Sequence, residues 1–72
     1  MKLEEVQVRD KVPTGAPGDH TNRLEAGRGW SLSFEAGIVT AENDRTALLI
    51  PVGNVVYMRQ AKAEAKKPVR AA

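Results

Sequence analysis

The sequence predicts a mainly β fold, a small antiparallel sheet or open barrel of four or five strands with a long N-terminal loop and a disordered C-terminal tail. Three observations predict it. Apolar and polar residues alternate in several short runs, which is the period of a strand with one buried face. Glycine, proline, asparagine and aspartate cluster between these runs, as they do in turns. The last dozen residues are rich in alanine and lysine and contain no large apolar residue except Val69.

The size and composition limit what the chain can build. With 72 residues, 42% of them apolar, it can form one small domain with a thin core. We assign residues 1–60 to that domain and residues 61–72 to a basic tail. The chain has no cysteine, so no disulfide or thiolate–metal site reinforces the fold, which fits a reducing compartment.

Nothing in the sequence resembles a targeting or membrane-spanning segment. No apolar run reaches the ~20 residues that a helix needs to cross a bilayer. The N-terminus, MKLEEVQVRDK, lacks the apolar stretch of a signal peptide. We therefore expect a soluble, cytoplasmic protein without membrane contact.

The first strand is expected within residues 2–9, where Val6 and Val8 alternate with polar side chains. Leu3 has the opposite parity, which predicts a late start or a bulge. Residues 12–29 follow and contain two prolines and four glycines. This composition predicts a long loop without a ladder of backbone hydrogen bonds, with at most one helical turn anchored by Leu24.

The middle of the chain has the clearest strand pattern. Trp30, Leu32 and Phe34 alternate with two serines, which predicts an aromatic-rich inner face and a small polar outer face. Gly37 then marks a bulge or a sharp bend. The polar residues 41–45, AENDR, favour the turn of a hairpin.

The stretch TALLIPVGNVVYMRQ, residues 46–60, is interpreted as two strands joined by a tight turn. Pro51 has no backbone donor and is best placed at a strand end. Gly53 and Asn54 relax the backbone for the turn. A strand, one helical turn and a short final strand is similar to the way in which several small SH3-like barrels close their sheet.

Charge is distributed unevenly along the chain. Residues 1–58 carry six basic and eight acidic side chains, whereas residues 59–72 carry five basic and one acidic. A mildly acidic body is a poor surface for nucleic acid, but a basic tail can bind phosphates by releasing counterions. The candidate nucleic-acid contacts in the tail are Lys62, Lys66, Lys67 and Arg70.

The residues that could support catalysis or ligand binding do not form a recognisable motif. His20 is the single histidine, and a triad with Asp19 and Ser31 or Ser33 would place the base in a loop rather than in preorganised geometry. The carboxylates lack metal-ligand spacing, and the glycines lack phosphate-loop spacing. We expect no enzyme activity, no cofactor and no metal.

Candidate partner contacts are the strand edges, the loop cations and one aromatic residue. The segments Val6–Val8 and Val55–Tyr57 are the natural strand edges for pairing with another chain. Trp30 and Phe34 are better explained as core residues than as a stacking platform. The candidate contact residues are Val6, Val8, Arg9, His20, Arg23, Arg28, Tyr57 and Arg59.

The segment LLIPVGNVVYM, residues 48–58, resembles segments of small bacteriophage proteins in which a short sheet ends with Ile-Pro, a turn and a strand rich in valine and an aromatic residue. In size and character the chain is similar to phage regulators that bind host RNA polymerase, such as the transcription regulator of a Xanthomonas phage. This resemblance implies a non-enzymatic protein that inhibits or modulates host transcription. Two alternatives stay open: a nucleic-acid-binding small barrel that uses the tail, and a phage accessory protein that self-associates.

Overall fold

A computed structural model describes residues 1–61, which form six antiparallel strands and two short 3-10 helices. The strands are β1 (Lys2–Pro13), β2 (His20–Glu25), β3 (Ser31–Glu35), β4 (Ile38–Glu42), β5 (Ala47–Pro51) and β6 (Val55–Gln60). The 3-10 helices are η1 (Ala26–Arg28) and η2 (Val52–Asn54). The predicted mainly β, antiparallel fold is confirmed, with six strands instead of four or five. The predicted tail lies outside the described residues from residue 62 onward.

Strand β1 is the centre of the sheet. The strand order is β2-β1-β3-β4-β5, and β6 pairs with β1 as well. Val6 lies opposite Leu24 of β2 on one side and opposite Met58 of β6 on the other. β1 therefore has a neighbour on each side, and it holds the first and last parts of the domain together.

The prediction of a long loop over residues 12–29 is wrong. β1 continues to Pro13, and β2 occupies residues 20–25, so that a short turn joins them. In this turn the Thr14 N–H donates to the Asp19 carbonyl at 3.0 Å. The glycines and prolines are confined to residues 13–18 and 27–29, and the eight residues between them contain neither. Composition averaged over the whole segment concealed this strand.

Leu24, expected to anchor a helical turn, is instead a fully buried residue of β2. The chain contributes side chains to the core from five of the six strands. The buried apolar residues are Leu3, Val6, Val8, Leu24, Leu32, Val39, Ala41 and Ile50. Leu3 joins this set because the β1–β6 register shifts between Leu3 and Glu5, which is the predicted bulge. Trp30 and Phe34 are partly buried and pack against the core, as expected.

Strands β3 and β4 are joined by a two-residue turn at Ala36 and Gly37, which have φ angles of 53° and 80°. Two positive φ angles are typical of the type I′ hairpin turn, so Gly37 is the predicted sharp bend. An alanine is strained in this left-handed region.

We expect Ala36→Asn to raise the free energy of unfolding by about 1 kcal/mol, because asparagine adopts this conformation readily. Urea denaturation of both proteins checks it; an unchanged or lower midpoint would show that the turn is not strained at Ala36.

The turn of the β1–β2 hairpin packs against the turn between β4 and β5. The Asn43 side chain donates to the Thr14 carbonyl at 2.9 Å, and Gly15 (φ 99°) lies against Arg45. A methyl group added at Gly15 would be 2.6 Å from the Arg45 Cβ. The two turns are thus in contact, and Gly15 is required for both its conformation and its lack of a side chain.

Gly15→Ala should therefore destabilise the domain by about 1–3 kcal/mol, through backbone strain and the clash with Arg45. The matched control is Gly53→Ala, because Gly53 has no positive φ and a methyl group there meets open space. Thermal denaturation followed by circular dichroism compares the two variants. Equal melting temperatures for them would refute the close contact between the turns.

The stretch from residue 46 to residue 60 contains two strands, as predicted. β5 ends at Pro51, η2 makes the turn, and β6 follows. The Val52 N–H donates to the Gly37 carbonyl at 3.0 Å, which extends the β4–β5 pairing by one step. The Asn54 side chain bonds the backbone N–H and carbonyl of Asp10, so η2 is fixed to β1.

Candidate functional site

The register of β1 with its two neighbours places a group of polar side chains on the face opposite the core. Glu5 lies opposite Glu25 of β2 and Arg59 of β6, and Gln7 lies opposite Arg23 and Tyr57. Directly opposed residues of an antiparallel pair share one face of the sheet. We call this group the arginine face: Glu5, Gln7, Arg23, Glu25, Tyr57 and Arg59, with Arg28 joined to it through Glu25.

Glu5 is the centre of the arginine face and the one buried charged residue of the described chain, with 4% of its surface exposed. One carboxylate oxygen accepts hydrogen bonds from Gln7 Nε2 at 2.9 Å and from Arg23 Nε at 2.6 Å. The other accepts from Arg59 Nη2 at 3.0 Å. A buried carboxylate is tolerated when donors and opposite charges surround it, and here β2, β1 and β6 each contribute one donor.

These contacts hold Glu5 in its ionised form. Hydrogen bonds from Gln7, Arg59 and Arg23 lower the pKa of Glu5 from 4.5 to about 2, while its burial acts in the opposite direction. The hydrogen bond to Glu5 also raises the pKa of Arg23 and that of Arg59. A carboxyl group with so low a pKa neither gives nor takes protons near neutral pH. Glu5 instead holds the side chains of Arg23 and Arg59 in place.

Two further ion pairs extend the arginine face at its edges. Arg59 Nη1 lies 2.6 Å from Glu4 Oε1, and Arg28 Nε lies 3.1 Å from Glu25 Oε1. Three guanidinium groups thus meet three carboxylates, and the face is close to neutral. The arginine side chains remain accessible: 60% exposed for Arg23, 80% for Arg28 and 47% for Arg59. Arg23 and Arg28 offer unshared N–H groups to solvent, since their ion pairs use the Nε atom.

The structure brings together four of the predicted partner contacts and separates the others. Arg23, Arg28, Tyr57 and Arg59 belong to the arginine face.

 Arg23 and Arg59 are 36 residues apart in the sequence and meet because both bind Glu5. Contact between these residues therefore depends on the register of three strands.

Val6–Val8, one of the two segments named as natural strand edges, does not lie at an edge of the sheet. Both side chains are buried, with 0% and 3% of their surface exposed, and β1 is paired on both sides. Arg9 and His20 are exposed but lie outside the arginine face, and His20 is opposite Pro13 at the far end of the β1–β2 hairpin. The proposed nucleic-acid contacts Lys62, Lys66, Lys67 and Arg70 lie outside the described residues.

Sequence reasoning missed Glu5, which organises the site. In the sequence Glu5 has the alternation of an outward-facing, solvated residue next to Val6. Its burial results from Arg23 and Arg59, which are 18 and 54 residues away. The signal available in the sequence was the presence of Arg23 and Arg59 in two other segments. The segment that contains Arg23 was predicted to be part of a loop.

Other kinds of site find less support in the described part of the chain. Within residues 1–61, no group of three or more histidine, aspartate or glutamate side chains is arranged to hold a metal ion. No helix in this range is long and apolar enough to span a membrane. An open groove of about 240 Å³ lies beside Trp30 and Leu32, with Lys2 as its one charged lining residue. It lacks the converging polar groups of a small-molecule site.

The arginine face is thus the best-defined candidate site: a neutral, rigidly held surface of arginines and one tyrosine. Comparison of the chain with protein-family models, with curated proteins and with solved structures found no match.

Proposed function

We propose that this chain is a small, non-enzymatic regulatory protein that binds a larger protein complex of a bacterial host, with RNA polymerase as the first candidate, and inhibits or modulates transcription. The observation that carries the proposal is the arginine face. Arginine and tyrosine are enriched among the residues that dominate binding energy in protein interfaces. Here Arg23, Arg28, Arg59 and Tyr57 share one side of the sheet.

The arginines of this face are already ordered in the free protein. Glu5 fixes Arg23 and Arg59, and Glu25 contacts Arg23 and Arg28. Ordering a flexible side chain on binding costs about 0.5–1.5 kcal/mol, so a preorganised arginine binds more tightly than a free one. This arrangement favours a binding surface over a reaction centre.

The chemistry of the face indicates the kind of partner. The exposed guanidinium groups match planar carboxylates in geometry, while Tyr57, 44% exposed, adds an apolar surface with a hydroxyl group. A protein surface that combines acidic and apolar residues is complementary to it. RNA polymerase as the particular partner is supported by the similarity of the chain, in size and character, to phage regulators that bind host RNA polymerase, and this choice is a proposal.

The test is a pull-down from nuclease-treated bacterial lysate with the tagged, full-length chain at low and high salt. We expect RNA polymerase subunits to be retained under both conditions. The variant Tyr57→Ala/Arg28→Ala should lose them, because it alters the face without removing the contacts to Glu5. Arg45→Ala, an exposed arginine in the β4–β5 turn, is the control and should retain them. Retention by both variants would show that the arginine face is not the contact surface.

A nucleic-acid-binding role for the tail is the second candidate, and charge favours it. Residues 1–61, which include Arg59 of the arginine face, contain seven basic and eight acidic side chains. Residues 62–72 contain four basic and one acidic, and the excess of positive charge is concentrated there. Binding through the tail would fall steeply with salt and disappear when its four cations are replaced by glutamine. Capture that is lost after nuclease treatment would favour this alternative.

A further inference from the structure

Strand β5 forms one end of the sheet, and one of its two sides has no strand partner within residues 1–61. Val39 lies opposite Ile50, and Ala41 lies opposite Leu48. Beyond these pairs, Asn43 N–H donates to the Thr46 carbonyl at 2.9 Å and Val52 N–H to the Gly37 carbonyl at 3.0 Å. Hydrogen-bonded pairs alternate with non-bonded ones in an antiparallel ladder. Leu48 and Ile50 therefore direct their backbone groups to β4.

By the same alternation, Ala47, Leu49 and Pro51 direct their backbone groups away from β4. Within residues 1–61, β5 pairs with no strand except β4. All three residues are exposed, and Leu49 is 74% exposed. Pro51 lacks an N–H at a position where it would face outward, so the β4–β5 ladder loses nothing. The outward edge therefore offers the N–H groups of Ala47 and Leu49 and three carbonyl groups to an added strand.

The edge of β5 is also free of charge. Two other strands, β2 and β6, pair with β1 alone, and both carry arginine. Natural proteins usually protect an edge with charged residues, and β5 has none: its sequence is ALLIP. A strand without charge meets no like-charge repulsion when it pairs with an identical strand.

We propose that β5 pairs antiparallel with β5 of a second copy of this chain, about a two-fold axis at Leu49. In this register the two Leu49 residues exchange a pair of N–H to carbonyl hydrogen bonds. The Ala47 N–H of each copy donates to the Pro51 carbonyl of the other. The symmetry is closed, so pairing ends at a dimer. The proposal rests on the β4–β5 ladder and is independent of the arginine face.

The contact brings exposed apolar side chains together. Leu49 of each copy lies near that of the other, and Ile38, which is 36% exposed and lies opposite Pro51, is on the same outer surface. A five-residue edge covers less surface than the ~1,200–2,000 Å² of stable interfaces. We therefore expect a dimer that dissociates on dilution.

Sedimentation equilibrium of the full chain, from micromolar to millimolar concentration, tests the proposal. The average mass of the wild type should rise from that of a monomer toward that of a dimer. Leu49→Pro removes an outward N–H that β4 does not use, and Leu49→Lys places a charge on the two-fold axis; both should remain monomeric. Val56→Lys, at an apolar residue of β6 that is 56% exposed, should dimerise as the wild type does.

Circular dichroism establishes that each variant is folded, and Leu49→Lys decides the outcome if Leu49→Pro fails to fold. A wild type that stays monomeric at millimolar concentration overturns the proposal, as does a folded Leu49→Lys variant that dimerises unchanged. Loss of dimerisation in Val56→Lys would also overturn it, since the contact would then involve β6. None of these outcomes depends on binding to RNA polymerase, so this proposal and the proposed function fail separately.

Discussion

Replacing Leu24 by alanine should lower the free energy of unfolding by about 2–5 kcal/mol, the largest loss expected from any single substitution in this domain. Leu24 is fully buried and lies opposite Val6 of β1. Truncation removes apolar contacts and leaves a cavity that a sheet cannot easily close. A scaffold of this size has about 3–5 kcal/mol of net stability, so the variant should be largely unfolded at room temperature.

Urea denaturation followed by tryptophan fluorescence measures this effect, because Trp30 packs against the core. Leu49→Ala is the matched control: it is the same chemical change at a residue that is 74% exposed, and it should alter stability little. If Leu24→Ala were as stable as Leu49→Ala, Leu24 would not be a core residue and β2 would be misplaced. The same result would restore the loop that composition predicts for residues 12–29.

Glu5 should make the domain sensitive to acid over a defined range of pH. Its pKa is about 2 in the folded protein and 4.5 for an ordinary glutamate. Because the folded-state pKa is the lower one, the ionised carboxylate stabilises the fold fully above pH 4.5. That contribution is lost progressively as the pH falls from 4.5 to about 2, where the folded protein also takes up the proton. Stability should fall steeply in this window.

Comparison of the wild type with Glu5→Gln by urea denaturation at several pH values isolates this contribution. The variant should be less stable at pH 6, should depend less on pH, and should approach the wild type in strong acid. Glu42→Gln, at an exposed position of β4, is the control and should retain the wild-type profile. Parallel profiles for the wild type and Glu5→Gln would contradict the role assigned to Glu5, as would a Glu5 carboxyl group that titrates near 4.5 in an NMR experiment.

Local patterns predicted most of the fold. The alternation of Trp30, Leu32 and Phe34, the polar turn before β5 and the proline at the end of that strand all have short-range causes, and the structure contains each feature. β2 was missed because its sequence, HTNRLE, has one large apolar residue and lies between turn formers. The strand conformation of β2 depends on its hydrogen bonds to β1. A local sequence pattern does not reveal such long-range pairing.

The site was predictable only in its separate parts. Arginine and tyrosine were identified as contact residues on the loop and the last strand, and Arg23, Tyr57 and Arg59 do share a face. Their convergence on Glu5 depends on the register of β2 and β6 against β1, which is a long-range property. The exclusion of Val6 and Val8 has the same origin, because their segment was one of two candidate edges and β1 is instead the central strand.

Glu5 connects the stability of the domain to its proposed function. It joins β2 and β6 to β1 and also fixes the arginines that the partner is proposed to contact. Substitutions at Glu5, Arg23 or Arg59 will therefore change fold and binding together. Tyr57 and Arg28 are the better probes of binding, because neither contacts Glu5.

The most direct test of the proposed function is the equilibrium affinity of the full-length chain for purified bacterial RNA polymerase, measured without nucleic acid at low and high salt. We expect saturable binding at both salt concentrations. It should weaken at least tenfold, which corresponds to about 1.4 kcal/mol, in Tyr57→Ala/Arg28→Ala and should be unchanged in Arg45→Ala. The absence of binding by the folded wild-type chain, or equal affinity for all three proteins, would contradict the proposal that the arginine face binds this enzyme.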